Sequence, residues 1–259
     1  MIGKIAPRVV ADLGNSRLKW GRLDDRGRVA EVATLGLDDA RTWADAWLRW
    51  GLGNSDVPSW AVASVNPPAA ERLTEFLGDR GVGQSAWYRS AAEVPLRHGL
   101  ERPGTAGADR ALAVVGALEG RPAGRPGLVV LCGTAVTVER VASDGTWQGG
   151  AIAAGLGLTA QALHLLTAQL PQVIPRGAPP AWGASTFPAL EAGVFWGVVG
   201  GVRELLTRQA EGLEPAPWVI WTGGDAAVLA SALAWEGAEV VPDLVLRGLA
   251  RVAFGVTKE

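Results

Sequence analysis

Apolar and polar residues follow two different periods along this chain, and together they predict a mixed α/β protein. Short apolar runs between glycine, asparagine and aspartate predict strands, whereas apolar positions three or four residues apart predict helices. The predicted strands are 9–34 and 128–141, each a strand-turn-strand, then 59–65, 85–89, 147–153, 218–222 and 238–241. The predicted helices are 38–51, 68–79, 109–119, 156–170, 186–211, 225–235 and 243–255.

Two similar turns open the two halves of this pattern. In the first turn Gly14 is followed by Asn15, and in the second Gly133 is followed by Thr134. Glycine lets the main chain approach a ligand closely, and consecutive N–H groups in such a turn favour anions. Two such turns facing each other across a cleft would hold a polyphosphate from both sides.

The repeated opening also predicts the domain organisation. The segment 120–127 is rich in glycine and proline and forms the natural boundary between the halves. We therefore predict an α/β fold of two lobes related by internal duplication, with domains at 1–118 and 119–259. The segments 9–23 and 129–141 are expected to occupy equivalent places in the two lobes.

Composition excludes several classes of function. The chain has 259 residues and a formal net charge of −2, which gives no electrostatic footprint for nucleic acid or anionic lipid. Its single cysteine, Cys132, cannot form an intramolecular disulfide, and residues 1–8 lack the apolar segment of a secretory signal. We expect a cytoplasmic protein that binds neither nucleic acid nor membrane.

The usual nucleotide-binding motifs do not occur in this sequence. It contains no G-x-x-x-x-G-K-[ST] loop, and no G-x-G-x-x-G that follows a strand and opens a helix. Cys132 beside Gly133 has two interpretations, a nucleophile or a small buried apolar residue at a strand end, and the second is favoured.

Three short motifs are candidates for chemistry. Asp12 precedes the first glycine turn, where a carboxylate can hold Mg²⁺ beside bound phosphates, although the turn could also be an ordinary hairpin. Asp109 begins a helix, where it could accept a proton from a hydroxyl group or simply cap the helix, and Arg110 could bind an anionic group. The pair Gly223-Gly224 could admit a flat ring or form a plain strand-to-helix turn.

In their order along the chain, these motifs resemble those of the type III pantothenate kinases, of the acetate and sugar kinase/Hsp70/actin superfamily. Residues 12–16 are similar to the family's Asp-x-Gly-Asn-[Thr/Ser] loop, 107–110 to its Gly-x-Asp-Arg signature, and 133–137 to its Gly-Thr-Ala-x-Thr loop. Residues 149–152, Thr186 and 244–249 also fit in the family order.

The resemblance implies two ribonuclease-H-like lobes, a homodimer, and ATP-dependent phosphorylation of pantothenate with Mg²⁺, in which Asp109 accepts the proton. It implies that Asp12 is the metal-orienting carboxylate. The predicted ATP-binding residues are Asp12, Leu13, Gly14, Asn15, Ser16, Arg17, Leu18, Lys19, Gly133, Thr134, Gly223 and Gly224. The predicted substrate-binding residues are Gly107, Ala108, Asp109, Arg110 and Thr186.

Three positions depart from the family pattern. Leu131 replaces an aspartate that binds potassium or ammonium, so a monovalent-cation site is not expected here. Leu100 replaces an aromatic residue that contacts pantothenate, and Ala154 replaces a proline. These changes leave two alternatives open, a binding or regulatory relative with impaired catalysis, and a kinase of the same superfamily acting on another small hydroxylated acid or sugar.

Overall fold

The computed structural model describes residues 8–53, 58–83 and 85–255, and within them the chain alternates between strands and helices. The strands are β1 (Arg8–Leu13), β2 (Leu18–Leu23), β3 (Val29–Leu35), β4 (Ser59–Ser64), β5 (Ser85–Tyr88), β6 (Gly127–Cys132), β7 (Ala135–Val141), β8 (Trp147–Ala154), β9 (Trp218–Thr222) and β10 (Ala238–Val240). The helices are α1 (Ala40–Arg49), α2 (Pro67–Gly78), α3 (Ala108–Leu118), α4 (Leu156–Leu165), α5 (Thr186–Ala210), α6 (Ala226–Leu233) and α7 (Leu244–Phe254).

The strands form two sheets of five with the same topology. The first sheet has the order β3-β2-β1-β4-β5 and the second the order β8-β7-β6-β9-β10. In each sheet the first three strands of the sequence pair antiparallel, and the last two add in parallel on the other side of the first. The segments 9–23 and 129–141 therefore occupy equivalent places, which confirms the predicted duplication.

The chain divides into two compact units. The first unit comprises the chain as far as Leu96, then Glu101–Glu119, and the C-terminal segment from Leu244. The second unit comprises Arg97–Leu100 and Gly120–Asp243. The chain passes from the first unit to the second after residue 119, next to the predicted boundary. Helix α7 belongs to the first unit, although it follows the second unit in sequence. The limits 1–118 and 119–259 stay a prediction for the functional domains.

The first sheet is covered on both faces. On one face Trp20 and Trp60 meet edge to face with ring centroids 5.0 Å apart, and Trp47 of α1 stacks on Trp60. The opposite face packs against α7, which in turn packs against α3. A Cβ atom at Gly116 of α3 would overlap the Leu244 carbonyl oxygen, and one at Gly248 of α7 would overlap that of Leu112. The main chains of α3 and α7 are therefore in direct contact at these two glycines.

The second sheet has its principal core on the face that carries Leu128, Val130 and Cys132. Side chains of α4, α5 and α6 complete that core, and Phe195 of α5 is fully buried within it. No helix among the described residues is long and apolar enough to cross a membrane.

Helix α4 ends at Leu165, whereas the sequence pattern predicted that it would continue to residue 170. The Thr167 hydroxyl donates to the Leu163 carbonyl at 2.7 Å, so a side chain competes with the main chain at that point. His164 Nδ1 lies 2.8 Å from the Leu170 carbonyl, and Pro171 disfavours helical conformation in the residue before it.

Candidate active site

The first glycine turn closes the β1–β2 hairpin at the carboxyl end of β1. The Gly14 amide donates to the Arg17 carbonyl at 3.1 Å, and Asn15, Ser16 and Arg17 are exposed. Asp12 lies near the end of β1, directly opposite Lys19 on β2. A carboxylate and an ammonium group therefore flank a turn whose main chain is open to a ligand.

Two residues predicted to bind ATP have buried side chains. Leu13 and Leu18 are fully buried in the tryptophan-rich core of the first unit. Only their main-chain groups remain to contact a nucleotide. Because strand side chains alternate between faces, Asp12 points away from this core.

Asp12 lies on the face of the first sheet that α7 covers. A Cβ at Gly21 would lie 2.9 Å from Val10 and 3.3 Å from Leu246 of α7, so Val10 faces α7. Asp12 is two residues after Val10 and shares its face. Helix α3 packs against α7, so Asp109 in its first turn is held on the same side of the sheet.

A short chain of contacts connects the first turn with Asp109. The Val65 amide donates to the Leu13 carbonyl at 3.2 Å. A Cβ at Gly107 would lie 3.1 Å from Val65 Cγ1 and would overlap the Asp109 carboxylate. Gly107 is therefore required for the packing of the Asp109 side chain, and the first unit brings residues 12–19 and 107–110 to one region.

Asp109 lies in the first turn of α3 and also has a local hydrogen bond. Its Oδ1 accepts from the Arg110 amide at 2.9 Å, while the N-cap residue is Gly107, which has no side chain to cap with. The positive end of the helix dipole lies beside this carboxylate. The Asp109 side chain is partly buried.

Several glycine turns lie close together within the second unit. The Gly133 amide donates to the Ala135 carbonyl, and the Gly155 amide donates to the Thr134 carbonyl, both at 3.0 Å. Gly223 has φ of +104°, and a Cβ there would overlap the main chain of Cys132. The predicted residues Gly133, Thr134 and Gly223 therefore lie together, and exposed Gly224 follows directly.

Two contributors to these regions were not among the predicted site residues. Asn66 accepts from the Ala69 amide at 3.2 Å as the N-cap of α2, and its Nδ2 lies 3.5 Å from the Gly14 carbonyl. Gly155 lies against the second turn, where a Cβ would overlap the Gly133 carbonyl oxygen. An asparagine before two prolines is a helix-start signal, whereas nothing local to Gly155 indicates its contact.

Cys132 is a buried structural residue, as the favoured interpretation predicted. Its side chain is fully buried, and this burial, with a smaller contribution from the nearby Asp225 carboxylate, raises the pKa of its thiol to about 12. Only the thiolate is nucleophilic, so Cys132 is unreactive at neutral pH.

Leu131 occupies a position with polar neighbours. It pairs with Thr137 on β7 and with Thr222 on β9, and both threonines are buried. Thr137 Oγ1 has no hydrogen-bond partner among the described residues. By alignment of the two glycine turns, Leu131 is the counterpart of Asp12, so the second unit has an aliphatic side chain where the first has a carboxylate.

Thr186 is the exposed first residue of α5 in the second unit, whereas Gly107 to Arg110 belong to the first. Its role in substrate binding stays a prediction. The described residues contain no cluster of three or more His, Cys, Asp or Glu side chains that could hold a metal ion by themselves. A metal ion here would need ligands from bound phosphates beside a carboxylate such as that of Asp12.

The two sheets, each with a glycine turn after its first strand, define an actin-like ATPase fold. The activator of the 2-hydroxyisocaproyl-CoA dehydratase from Clostridium difficile, solved with bound ADPNP, has a similar structure (TM-score 0.55, 13% identity, covering 96% of this chain and 94% of that one). MreB 5 of Spiroplasma citri, bound to AMPPNP, is also similar (TM-score 0.52, 9% identity, covering 98% and 97%). At these identities the likeness concerns the fold alone.

Sequence comparison identifies the family. The model of the type III pantothenate kinases matches residues 8–208. A type III pantothenate kinase of Phenylobacterium zucineum is 38% identical over 233 residues, which cover 87% of each chain. One of Rhodospirillum rubrum is 36% identical over 247 residues, or 92% of this chain and 94% of that one. This chain belongs to the type III pantothenate kinase family.

The burial of the Cys132 thiol predicts slow alkylation of the folded protein. Iodoacetamide at pH 8 should label the folded protein roughly 10³-fold more slowly than the urea-unfolded protein, because the thiol pKa rises from 9.0 to about 12. Mass spectrometry of timed samples measures both rates, and Cys132→Ser gives the unlabelled control. Equal labelling rates would show that the Cys132 thiol is accessible and reactive in the folded protein.

Proposed function

We propose that this protein transfers the γ-phosphoryl group of ATP to the primary hydroxyl group of pantothenate, the first step towards coenzyme A. The observation that carries this proposal is the Gly-x-Asp-Arg segment at the start of α3, held through Val65 beside the turn that follows β1. Family membership supplies the identity of the acceptor. Both substrates are soluble, and we place the reaction in the cytoplasm.

Asp109 is assigned as the group that accepts the hydroxyl proton. As the hydroxyl oxygen forms its bond to the γ-phosphorus, its proton passes to the Asp109 carboxylate, and the bond from the γ-phosphorus to the ADP oxygen breaks. Arg110, the next residue, is assigned to the pantothenate carboxylate, because a guanidinium group binds carboxylates through two parallel hydrogen bonds. Most of the acceleration comes from positioning and charge neutralisation.

Each unit has groups suited to binding ATP. In the first unit the exposed turn offers main-chain N–H groups, and Lys19 offers a positive charge to the phosphates. Asp12 holds Mg²⁺ with the phosphates, and the bound ion supplies neutralisation of the charge that develops on them. In the second unit Gly133 and Thr134 bind phosphate through the main chain, and the main chain of the turn at Gly223 and Gly224 contacts the flat adenine ring.

The test of the proposed function is a coupled ADP-release assay with ATP, Mg²⁺ and a panel of acceptors that includes pantothenate. Turnover on pantothenate is the expected result. Turnover only on another hydroxylated acid or sugar would show that the protein phosphorylates an acceptor other than pantothenate. ATP binding without turnover on any acceptor would favour the impaired relative. Leu100, whose side chain would be 3.3 Å from a Cβ at Gly149, is the substitution that motivates testing other acceptors.

Replacement of Asp109 tests the assignment of the proton acceptor. Asp109→Asn keeps the shape of the side chain and removes its basicity, so kcat should fall by about 10²–10⁴ while ATP still binds. Steady-state kinetics and nucleotide titration measure the two effects. Near-full activity would leave Asp109 with only its local role in the first turn of α3, where it accepts from the Arg110 amide.

Two further variants separate this effect from general loss of charge. Asp45→Asn makes the same change at an exposed position of α1 and should retain full activity. Asp12→Asn should weaken productive ATP binding and shift the Mg²⁺ dependence to higher concentration. A kcat loss in Asp45→Asn as large as that in Asp109→Asn would count against the assignment, because loss of a carboxylate far from the site would then have the same effect.

The residues around Leu131 do not fit the monovalent-cation site of the family. Two threonine hydroxyl groups flank an aliphatic side chain, whereas a hard cation needs several oxygen ligands. We therefore predict that activity depends little on potassium or ammonium. Titration with KCl or NH₄Cl against choline chloride at constant ionic strength measures this dependence. A large, saturable increase specific to either ion would contradict the prediction.

We also propose that the protein is a homodimer, in which the surface from β8 to the middle of α5 is covered by the second copy. Leu166 and Trp182 are at least 80% exposed, and large apolar patches on soluble proteins mark interaction surfaces. A Cβ at Gly193, Gly197 or Gly200 of α5 would meet no described atom within 4 Å, which leaves room for a close helix. The exposed large apolar side chains here are Ile152, Leu158, Leu165, Leu166, Ile174, Trp182, Phe187 and Trp196.

Light scattering after size exclusion tests this proposal. The wild-type protein should have twice the 26.9 kDa mass of one chain, and Ile152→Glu should shift the population towards the monomer, because it places a charge within the buried surface. Leu48→Glu makes the same change at an exposed position of α1 and should leave the dimer intact. A wild-type monomer at micromolar concentration would overturn the proposal.

A further inference from the structure

The first unit contains a cavity of about 480 Å³ that none of the proposed catalytic residues lines. It lies at the turn between β2 and β3, whereas the glycine turn that precedes β2 is at the other end of that strand. The six residues of β2 separate the two turns by about 20 Å. The cavity is lined by Asp24, Gly27, Arg28, Val29, Glu119, Arg247, Ala250 and Arg251.

Cationic groups outnumber anionic groups in this lining. Asp24 is already bonded, because its Oδ1 accepts from the Arg28 amide at 2.8 Å and its Oδ2 from Arg28 Nε at 3.2 Å. Asp24 and Arg28 therefore neutralise each other. Of the other described residues that line the cavity, Arg247 and Arg251 are cationic and Glu119 is anionic, so the described lining has an excess of one positive charge.

The two remaining arginines are arranged on one side of α7. Arg247 and Arg251 are four residues apart, so their side chains project from the same face of the helix. A guanidinium group has five N–H donors in a planar fork, which matches the oxygens of phosphate and carboxylate groups. Helix α7 thus places two guanidinium groups in the lining of one cavity.

Arg251 has a buried nitrogen atom that lacks a partner. Its Nη1 is inaccessible to solvent and makes no hydrogen bond to any described residue. A cation in the last turn of a helix is favoured by the helix dipole, which accounts for the charge of Arg251. Because Nη1 is inaccessible, a ligand in the cavity would be bound by the other N–H groups of the Arg251 guanidinium.

We propose that this cavity binds a small phosphate-bearing molecule, with Arg247 and Arg251 donating hydrogen bonds to the phosphate oxygens. A phosphate has three terminal oxygens and can accept from two guanidinium forks at once, whereas a carboxylate has two. The volume lies within the range of small-molecule sites and exceeds the volume that a phosphate group alone would fill. The site is separate from the ATP site and does not depend on the reaction proposed above.

Calorimetric titration of the full-length protein with inorganic phosphate tests the proposal. The nucleotide site is first filled with Mg²⁺ and a non-hydrolysable ATP analogue, and ionic strength is held constant with NaCl. We expect saturable binding of one phosphate, weakened at least tenfold in Arg247→Gln and in Arg251→Gln. Arg22→Gln removes an exposed arginine of β2 outside the cavity and should bind phosphate as the wild type does.

Glycerol 3-phosphate and acetate complete the titration. Tighter binding of glycerol 3-phosphate than of inorganic phosphate would identify an ester as the ligand, and the reverse order would identify the free ion. Acetate binding as tight as phosphate binding would overturn the assignment to phosphate. Absence of saturable phosphate binding, unchanged binding in Arg247→Gln, or equal loss in Arg22→Gln would overturn the site itself. Arg247 is exposed, so its replacement keeps the test valid even where Arg251→Gln is unstable.

Discussion

At Gly116 and Gly248 the main chains of α3 and α7 meet with no room for a side chain on either helix. Helix α7 also packs against β1, β2 and β4, so this contact connects α3 with the sheet that carries Asp12. Asp109, in the first turn of α3, is therefore held on the same face of the sheet as Asp12. Residues more than 130 positions apart in sequence thus fix this part of the first unit, and overpacking at their contact would destabilise the protein by about 1–3 kcal/mol.

Much of the fold could be predicted from the sequence, because the features that define it are local. Apolar alternation in β1 and β6, glycine turns after each, and helical periodicity in α1 and α5 are all visible within short windows. The repeated strand-turn-strand opening was sufficient to predict the duplication. The site motifs were visible for the same reason, since Asp12 and Gly14 are two residues apart and Gly107 and Asp109 are also two residues apart.

The features that could not be predicted depend on tertiary contacts. The return of α7 to the first unit depends on Gly248 meeting Leu112. The contact of Gly155 with the second turn joins residues that are more than 20 positions apart. Motif matching also gives no information on side-chain direction, so the prediction that Leu13 binds ATP can apply only to its main chain, because its side chain is in the core. A motif position fixes the main chain at a site, whereas the face of the strand decides which side chains are available.

The identical order of strands in the two sheets has a consequence for how charge is distributed. Gly14 and Gly133 mark equivalent turns, and two residues before them lie Asp12 and Leu131. The architecture is repeated, but the ionisable group is present in only one copy. The first turn therefore combines an anion-favouring main chain with the charged groups of Asp12 and Lys19, whereas the second has Leu131 in place of the carboxylate. The two sheets share a topology but not a charge pattern, so the two turns are not interchangeable.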